Sequence, residues 1–137
     1  RIALDDALRC LAANYPLLAR MQPLSDLRVH SETSWGRPVW LEVTAVDGQS
    51  ARVRADDLRL CLLRSGVEAY RAVYSMNCRM VRHGGDIHLT EGRGFGHGVG
   101  LCQYGAEGKA RRGLQWHEIL YAYYPGARIM SAGAVGR

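Results

Sequence analysis

Apolar residues near the start of the chain recur at Leu4, Ala7, Leu8, Leu11 and Ala12, which is the spacing of one helical face. Asp5 and Asp6 fall where a first helical turn favours negative charge, and Pro16 predicts a stop or kink near Tyr15. After Pro23 and Leu24 the pattern changes, and SDLRVHSET reads as a strand. The clearest local signal is PVWLEVTAVDGQSARVR. Trp40 and Leu41 begin a run of β-formers, Asp47 and Gly48 make a tight turn, and residues 51–54 return as the second arm of a hairpin. From Ala55 the period lengthens again: Leu58, Cys61 and Leu62 share a helical face behind Asp56 and Asp57.

Further along, AYRAVYSMNCRMVRH alternates loosely, with Tyr74, Met76, Cys78 and Met80 on one side, and predicts a long strand. Gly84 and Gly85 predict a turn, and DIHLTEG a short strand feeding a glycine-rich stretch. Beyond it, QYGAEGKARRG and LQWHEILYAYY both read as helices. The turn from Gln115 to Glu118 opens the second, Ile119, Leu120 and Tyr123 form its stripe, and Pro125 and Gly126 end it. The sum is α+β: short antiparallel strands with small helices, and a glycine-rich loop between a strand and a helix. Residues 1–130 are expected to form one domain, and the small-residue tail 131–137 to be flexible.

Composition changes this picture little. The chain has 137 residues with no apolar run long enough to span a bilayer. Its opening residues, RIALDD, read as an internal starting point rather than a leader. The formal charge of +5 is carried mostly by arginine, but the arginines are scattered and no reading motif is present, which argues against a nucleic-acid partner. Cys10, Cys61, Cys78 and Cys102 lack paired metal or redox spacing and are expected to be single buried thiols.

The chemistry concentrates in EGRGFGHGVGLCQYG, Glu91 to Gly105, where five glycines occupy alternate positions from Gly92 to Gly100. A dinucleotide loop would need its third glycine where His97 stands, and no phosphate-binding lysine follows, so a nucleotide site is not indicated. Each glycine costs roughly 0.5–1 kcal/mol of backbone entropy. So many together imply positive φ, close packing or a facing ligand, and composition does not separate these. His97, between Gly96 and Gly98, has the frame of a proton shuttle, a donor to a sugar or a metal ligand, and equally of a ring that fixes the loop. Cys102 invites a thiolate pair with His97, or a metal site with His83, His88 and Cys78, but neither acquires a further partner from the sequence. Among nearby acids, Glu91 alone sits at a loop edge. Glu107 is expected to face solvent, and Glu118 belongs to a helix beside His117.

The segment GRGFGHGVGLCQYGAEGKARRG, followed by the Trp116–Leu120 helix and YYPGARI, closely resembles the signature of the stage II sporulation protein D and amidase-enhancer family. The likeness is dense from Gly92 to Ile129 and looser back through the hairpin. It implies a bacterial, extracytoplasmic protein of the cell envelope that works on peptidoglycan. The sporulation member is a lytic transglycosylase that cuts denuded glycan strands and leaves 1,6-anhydro ends. By this resemblance Arg93, Phe95, Gly96, His97, Gly98, Gln103 and Tyr104 form the core loop at the glycan cleft, and Tyr123 to Gly126 match the closing motif. The family's catalytic glutamate lies in an upstream segment that nothing in residues 1–90 matches, so no catalytic residue is assigned. The family's zinc ligands lie upstream as well, and no metal or cofactor is implied here. Where Cys102 stands the family usually has a small residue such as serine, which favours a buried thiol. The chain thus resembles the C-terminal half of the family domain. The implied partners are glycan strands, the remaining part of the domain, or a cell-wall hydrolase that a non-catalytic module would enhance.

Overall fold

A computed structural model of the protein describes residues 1–130, and the tail 131–137 lies outside the described residues. The chain divides into two compact units, one from Arg1 to His97 and one beginning at Gly98. The element content is α+β, as the sequence pattern predicts. Among the described residues there are five α-helices and two small antiparallel sheets.

In the first unit, strand β1 (Ile2–Ala3) runs directly into helix α1 (Leu4–Asn14), and helix α2 (Pro16–Arg20) follows with Pro16 in its first turn. A proline there needs no amide hydrogen, so the residue that ends one helix can open the next. Strands β2 (Leu24–Glu32), β3 (Pro38–Ala45) and β4 (Ser50–Arg54) form one meander. The β3–β4 turn is the Asp47–Gly48 turn expected from the sequence, with Gly48 at φ 87° and its N–H bonded to the Ala45 carbonyl at 3.0 Å.

Strand alternation places Leu27, Leu41, Val43, Ala51 and Val53 on the buried face, and the register pairs Leu27 with Val43, Val43 with Ala51 and Leu41 with Val53. Helix α3 (Ala55–Arg64) packs Leu58 and Leu62 into the same core, where Leu8 and Leu11 of α1 meet them. Fully burying each such leucine contributes about 1.5–3 kcal/mol.

Two tyrosine hydroxyls tie this layer together. Tyr70 donates to Asp6 at 2.6 Å, and Tyr15 donates to Asp57. Burial first, then donation to this carboxylate, pushes the Tyr15 phenol up to about 12 from its ordinary 10. The unfolded chain loses that proton at a lower pH than the folded chain does. The associated stability is therefore complete below pH 10 and lost as the pH rises towards 12. Tyr15→Phe should cost about 1–2 kcal/mol at neutral pH. It should also flatten the alkaline fall in stability, measured by urea unfolding at neutral pH and again above the ordinary tyrosine range.

The second sheet orders β1, β6 (Asp86–Thr90) and β5 (Arg79–His83), with Arg82 opposite Ile87. One sequence expectation needs correction here. The long strand from Ala69 is a strand only from Arg79; Glu68–Ala72 is a turn of 3-10 helix instead. The Tyr70 hydroxyl, held by Asp6 of α1, draws its ring into the core and curls the backbone around it. Met76 and Cys78 are buried as the alternation suggests, whereas Tyr74 is exposed.

The second unit contains α4 (Gln103–Arg111) and α5 (Trp116–Tyr123). Helix α5 opens with a capping box. The Gln115 N–H donates to the Glu118 carboxylate at 2.7 Å, and the Gln115 side chain accepts in return. Ile119 is the buried residue of α5, and α4 has none.

Candidate functional site

Strand β6 ends at Thr90, and the chain then turns through Glu91, whose φ of 56° is the one positive value among non-glycine described residues. For a side chain with a Cβ, that conformation costs about 1–2 kcal/mol. The Glu91 carboxylate is exposed and faces Arg79 at 3.9 Å.

The glycines that follow adopt left-handed conformations, with φ of 68° at Gly94, 80° at Gly96, 69° at Gly98 and 87° at Gly100. The requirement for positive φ, one of the alternatives that composition leaves open, is thus met at these four glycines. A Cβ at Gly96 would meet nothing within 4 Å, so backbone conformation and not crowding requires glycine there. Alternating left-handed glycines with ordinary residues makes a chain that turns repeatedly and presents the intervening side chains outward.

Within the first unit this loop lies along the segment from Tyr74 to Asn77. The Arg93 N–H donates to the Asn77 carbonyl and the Gly96 N–H to the Tyr74 carbonyl, each at 2.8 Å, and Gly96 bridges to Ser75 in parallel sense. Arg37, at the start of the strand side of the β2–β3 turn, completes the anchor. Its guanidinium donates to the Gly96 carbonyl at 3.3 Å, to the His97 carbonyl, and to the hydroxyl of buried Ser75 at 3.4 Å. The loop is thus held by backbone contacts on one side and by a cation on the other.

Phe95 is 79% exposed and leans on Tyr74, with ring centroids 5.1 Å apart at 43°. Beside Tyr74 lies a cleft of about 280 Å³, lined by Tyr70, Val73, Tyr74, Leu89 and Arg93 among others. A second cleft, of about 360 Å³, is lined by Glu32, Trp35, Asn77, Arg79, Glu91 and Arg93. Arg93 therefore borders both.

In the second unit, Gly98 and Gly100 continue the left-handed alternation, and the Leu101 N–H donates to the Tyr124 hydroxyl at 3.0 Å. A Cβ at Gly100 would lie 3.0 Å from that hydroxyl, so Gly100 answers to both conformation and close approach. Gln103 and Tyr104 are exposed on the first turn of α4.

Of the residues singled out from the sequence, Arg93, Phe95, Gly96 and His97 share one continuous loop of the first unit. Gly98, Gln103 and Tyr104 belong to the second. The buried thiol expected at Cys102 is corrected by the structure. Cys102 is exposed and caps α4, its Sγ accepting from the Gly105 N–H at 3.4 Å. With no protein surface over it, the sulfur serves the helix terminus instead of the core. The other three thiols divide between buried Cys61 and Cys78 and half-buried Cys10, and burial pushes each of them up.

Glu107 faces solvent and pairs with Arg111 at 2.6 Å. Rings of His83 and His88 meet edge-on at 5.7 Å across the β5–β6 hairpin. No group of three or more His, Cys, Asp or Glu among the described residues could hold a metal ion. Sequence reading missed Arg37, Ser75 and Trp35. An arginine in a turn carries no local sign that it will reach a carbonyl sixty positions on.

An α+β unit carrying a clamped, left-handed glycine loop is the class that these features define. Comparison with known proteins then gives it relatives. The chain is 48% identical over 44 residues to the amidase enhancer of Bacillus subtilis, an alignment covering 32% of this chain and 6% of that protein. It is 47% identical over 53 residues to stage II sporulation protein D of Bacillus subtilis, covering 39% of this chain and 15% of the other. An uncharacterised protein of Brachyspira hyodysenteriae is 40% identical over 67 residues, 49% of this chain and 18% of its own length. The resemblance to the stage II sporulation protein D and amidase-enhancer proteins is thus borne out, while the aligned stretches span only 6% to 18% of these relatives. No family model and no solved structure matches the chain.

Proposed function

We propose that this chain is the glycan-facing part of a peptidoglycan-acting protein of the bacterial envelope, in the manner of a lytic transglycosylase. The observation that carries the reading is the clamped glycine loop. It presents Arg93 at the cleft bordered by Tyr74 and Phe95 against the Tyr74 ring, on the segment that resembles proteins concerned with sporulation and amidase enhancement. An aromatic pair offers a sugar ring an apolar face, and a guanidinium fits the carboxylate of a muramic residue.

In this reading the residues described here bind and orient the glycan, and none of them is assigned as the bond-breaking acid. Glu91 does not fill that role. Its carboxylate is exposed and faces Arg79, whereas a proton-donating acid needs an apolar enclosure. That observation, with the likeness to an amidase enhancer, favours a second reading: a non-catalytic wall-binding module that delivers a hydrolase to its substrate.

The chain should sediment with purified, stem-stripped peptidoglycan. Arg93→Ala combined with Phe95→Ala should weaken binding at least about tenfold, near 1.4 kcal/mol. A chain that stays in the supernatant at low salt defeats both readings. Anhydro-muropeptides released by the full-length protein select the first reading; stimulation of a separate amidase without them selects the second.

A further inference from the structure

The second cleft is built differently from the first, and its most prominent side chain is Trp35. That indole is 89% exposed, yet the turn beneath it is firmly made. The Thr33 hydroxyl accepts from the N–H of Trp35 at 3.3 Å and of Arg37 at 3.2 Å. The Thr33 N–H donates to the Arg37 carbonyl at 2.8 Å, and Gly36 turns the chain at φ 74°. A large apolar ring held out into water on a rigid turn serves no packing purpose in this unit.

Across the cleft stand Arg79, Glu91 and Arg93, and Glu32 lies at the end of β2 on the Trp35 side. Glu91 is the residue held in the strained left-handed conformation. An observed outlier of this kind is a pointer to function.

We propose that this cleft is a second saccharide subsite, in which Trp35 stacks on a pyranose face while Glu32 and Glu91 accept from ring substituents and Arg93 donates to a carboxylate carried by the sugar. The ligand class is an oligosaccharide of N-acetylated hexosamines, with carboxylate substituents contributing through Arg93. The subsite rests on the glycan-binding reading above and extends it, because Arg93 borders both clefts and a strand lying in one is handed to the other. Short ligands occupy the Tyr74 cleft alone, and longer ones reach Trp35.

The test is binding of the whole chain to two ladders of oligosaccharides, one of plain N-acetylglucosamine and one of stem-stripped peptidoglycan repeats, by calorimetry. Trp35→Ala should weaken the longer members of both ladders about tenfold or more and leave the shortest binder within about twofold. Trp35→Phe, which keeps a stacking face, should recover most of the loss. Arg93→Ala should weaken the peptidoglycan ladder more than the plain one. Circular dichroism unchanged in Trp35→Ala separates lost stacking from lost folding. Affinities of Trp35→Ala equal to those of the unaltered chain at every ladder length overturn the subsite and leave the Tyr74 cleft standing. Absence of binding to either ladder by the unaltered chain overturns both.

Discussion

Replacing Arg37 by alanine is expected to weaken binding to stem-stripped peptidoglycan by about 30- to 150-fold, although Arg37 need never touch the glycan. The guanidinium gives hydrogen bonds to the carbonyls of Gly96 and His97 and to the Ser75 hydroxyl. Hydrogen bonds from a charged donor contribute about 1.5–3 kcal/mol where the alternative leaves acceptors without a partner. Taking about 2–3 kcal/mol for ordering the loop gives the stated range.

The sheet beneath does not depend on this contact, since Leu41, Val43 and Val53 are fully buried without it. Thermal unfolding of the variant should therefore change much less than its co-sedimentation isotherm. Arg37→Lys should recover only a small part, because one guanidinium nitrogen serves the two carbonyls while the other reaches the Ser75 hydroxyl, and an ammonium is a single compact charge without that fork. An isotherm within about twofold of the unaltered chain would remove Arg37 from the account of the loop.

A second large effect is expected at Gly105 in α4. A Cβ there would lie 2.0 Å from the Tyr123 hydroxyl oxygen and 3.4 Å from the ring carbon that bears it. The first distance is impossible and the second is ordinary contact. Tyr123 must swing away in Gly105→Ala, giving up its place under the Lys109 ammonium, which sits 5.9 Å from the ring centroid.

Overpacking of this kind costs about 1–3 kcal/mol. Against it stands a gain of at most about 0.8–1 kcal/mol, the value for alanine over glycine in a helix interior, since Gly105 is in the first turn of α4. The net expectation is a loss of about 0–2 kcal/mol in the unaltered background. In a Tyr123→Phe background the clash disappears and the propensity gain remains, so the same substitution should be neutral or stabilising by up to about 1 kcal/mol. Helical circular dichroism followed through a thermal ramp reads both. Equal effects of Gly105→Ala in the two backgrounds would show that the Tyr123 hydroxyl is not the obstacle.

These cases mark what local sequence can and cannot carry. The Asp47–Gly48 hairpin, the helix break at Pro16 and the Gln115–Glu118 turn that opens α5 were legible because each is decided by residues within one turn of each other. The left-handed glycines were legible as a requirement but not as a shape. The 3-10 turn at Glu68–Ala72 was not legible, because it follows from Tyr70 reaching Asp6, sixty-four positions earlier. Strand β1 is only two residues long and exists because Ile2 and Ala3 find β6. Cys102 looked like a core thiol since cysteines are usually buried, and its exposure follows from a helix terminus that needed an acceptor. At the candidate site the recognised loop was visible in the string, while Arg37 and Trp35 depended on how the β2–β3 turn meets it.

The clamp also sets a timetable. Arg37 leaves the ribosome sixty residues before the His97 carbonyl that it will hold, and the first sheet can close on α1 and α3 without that partner. Contacts of such separation form late, after the entropy of closing the intervening chain has been met by the core. By the same measure β1 also waits on distant chain, since Ile2 pairs with Ile87. The glycine loop is thus one of the late parts of its unit, laid against a first sheet that can already be closed.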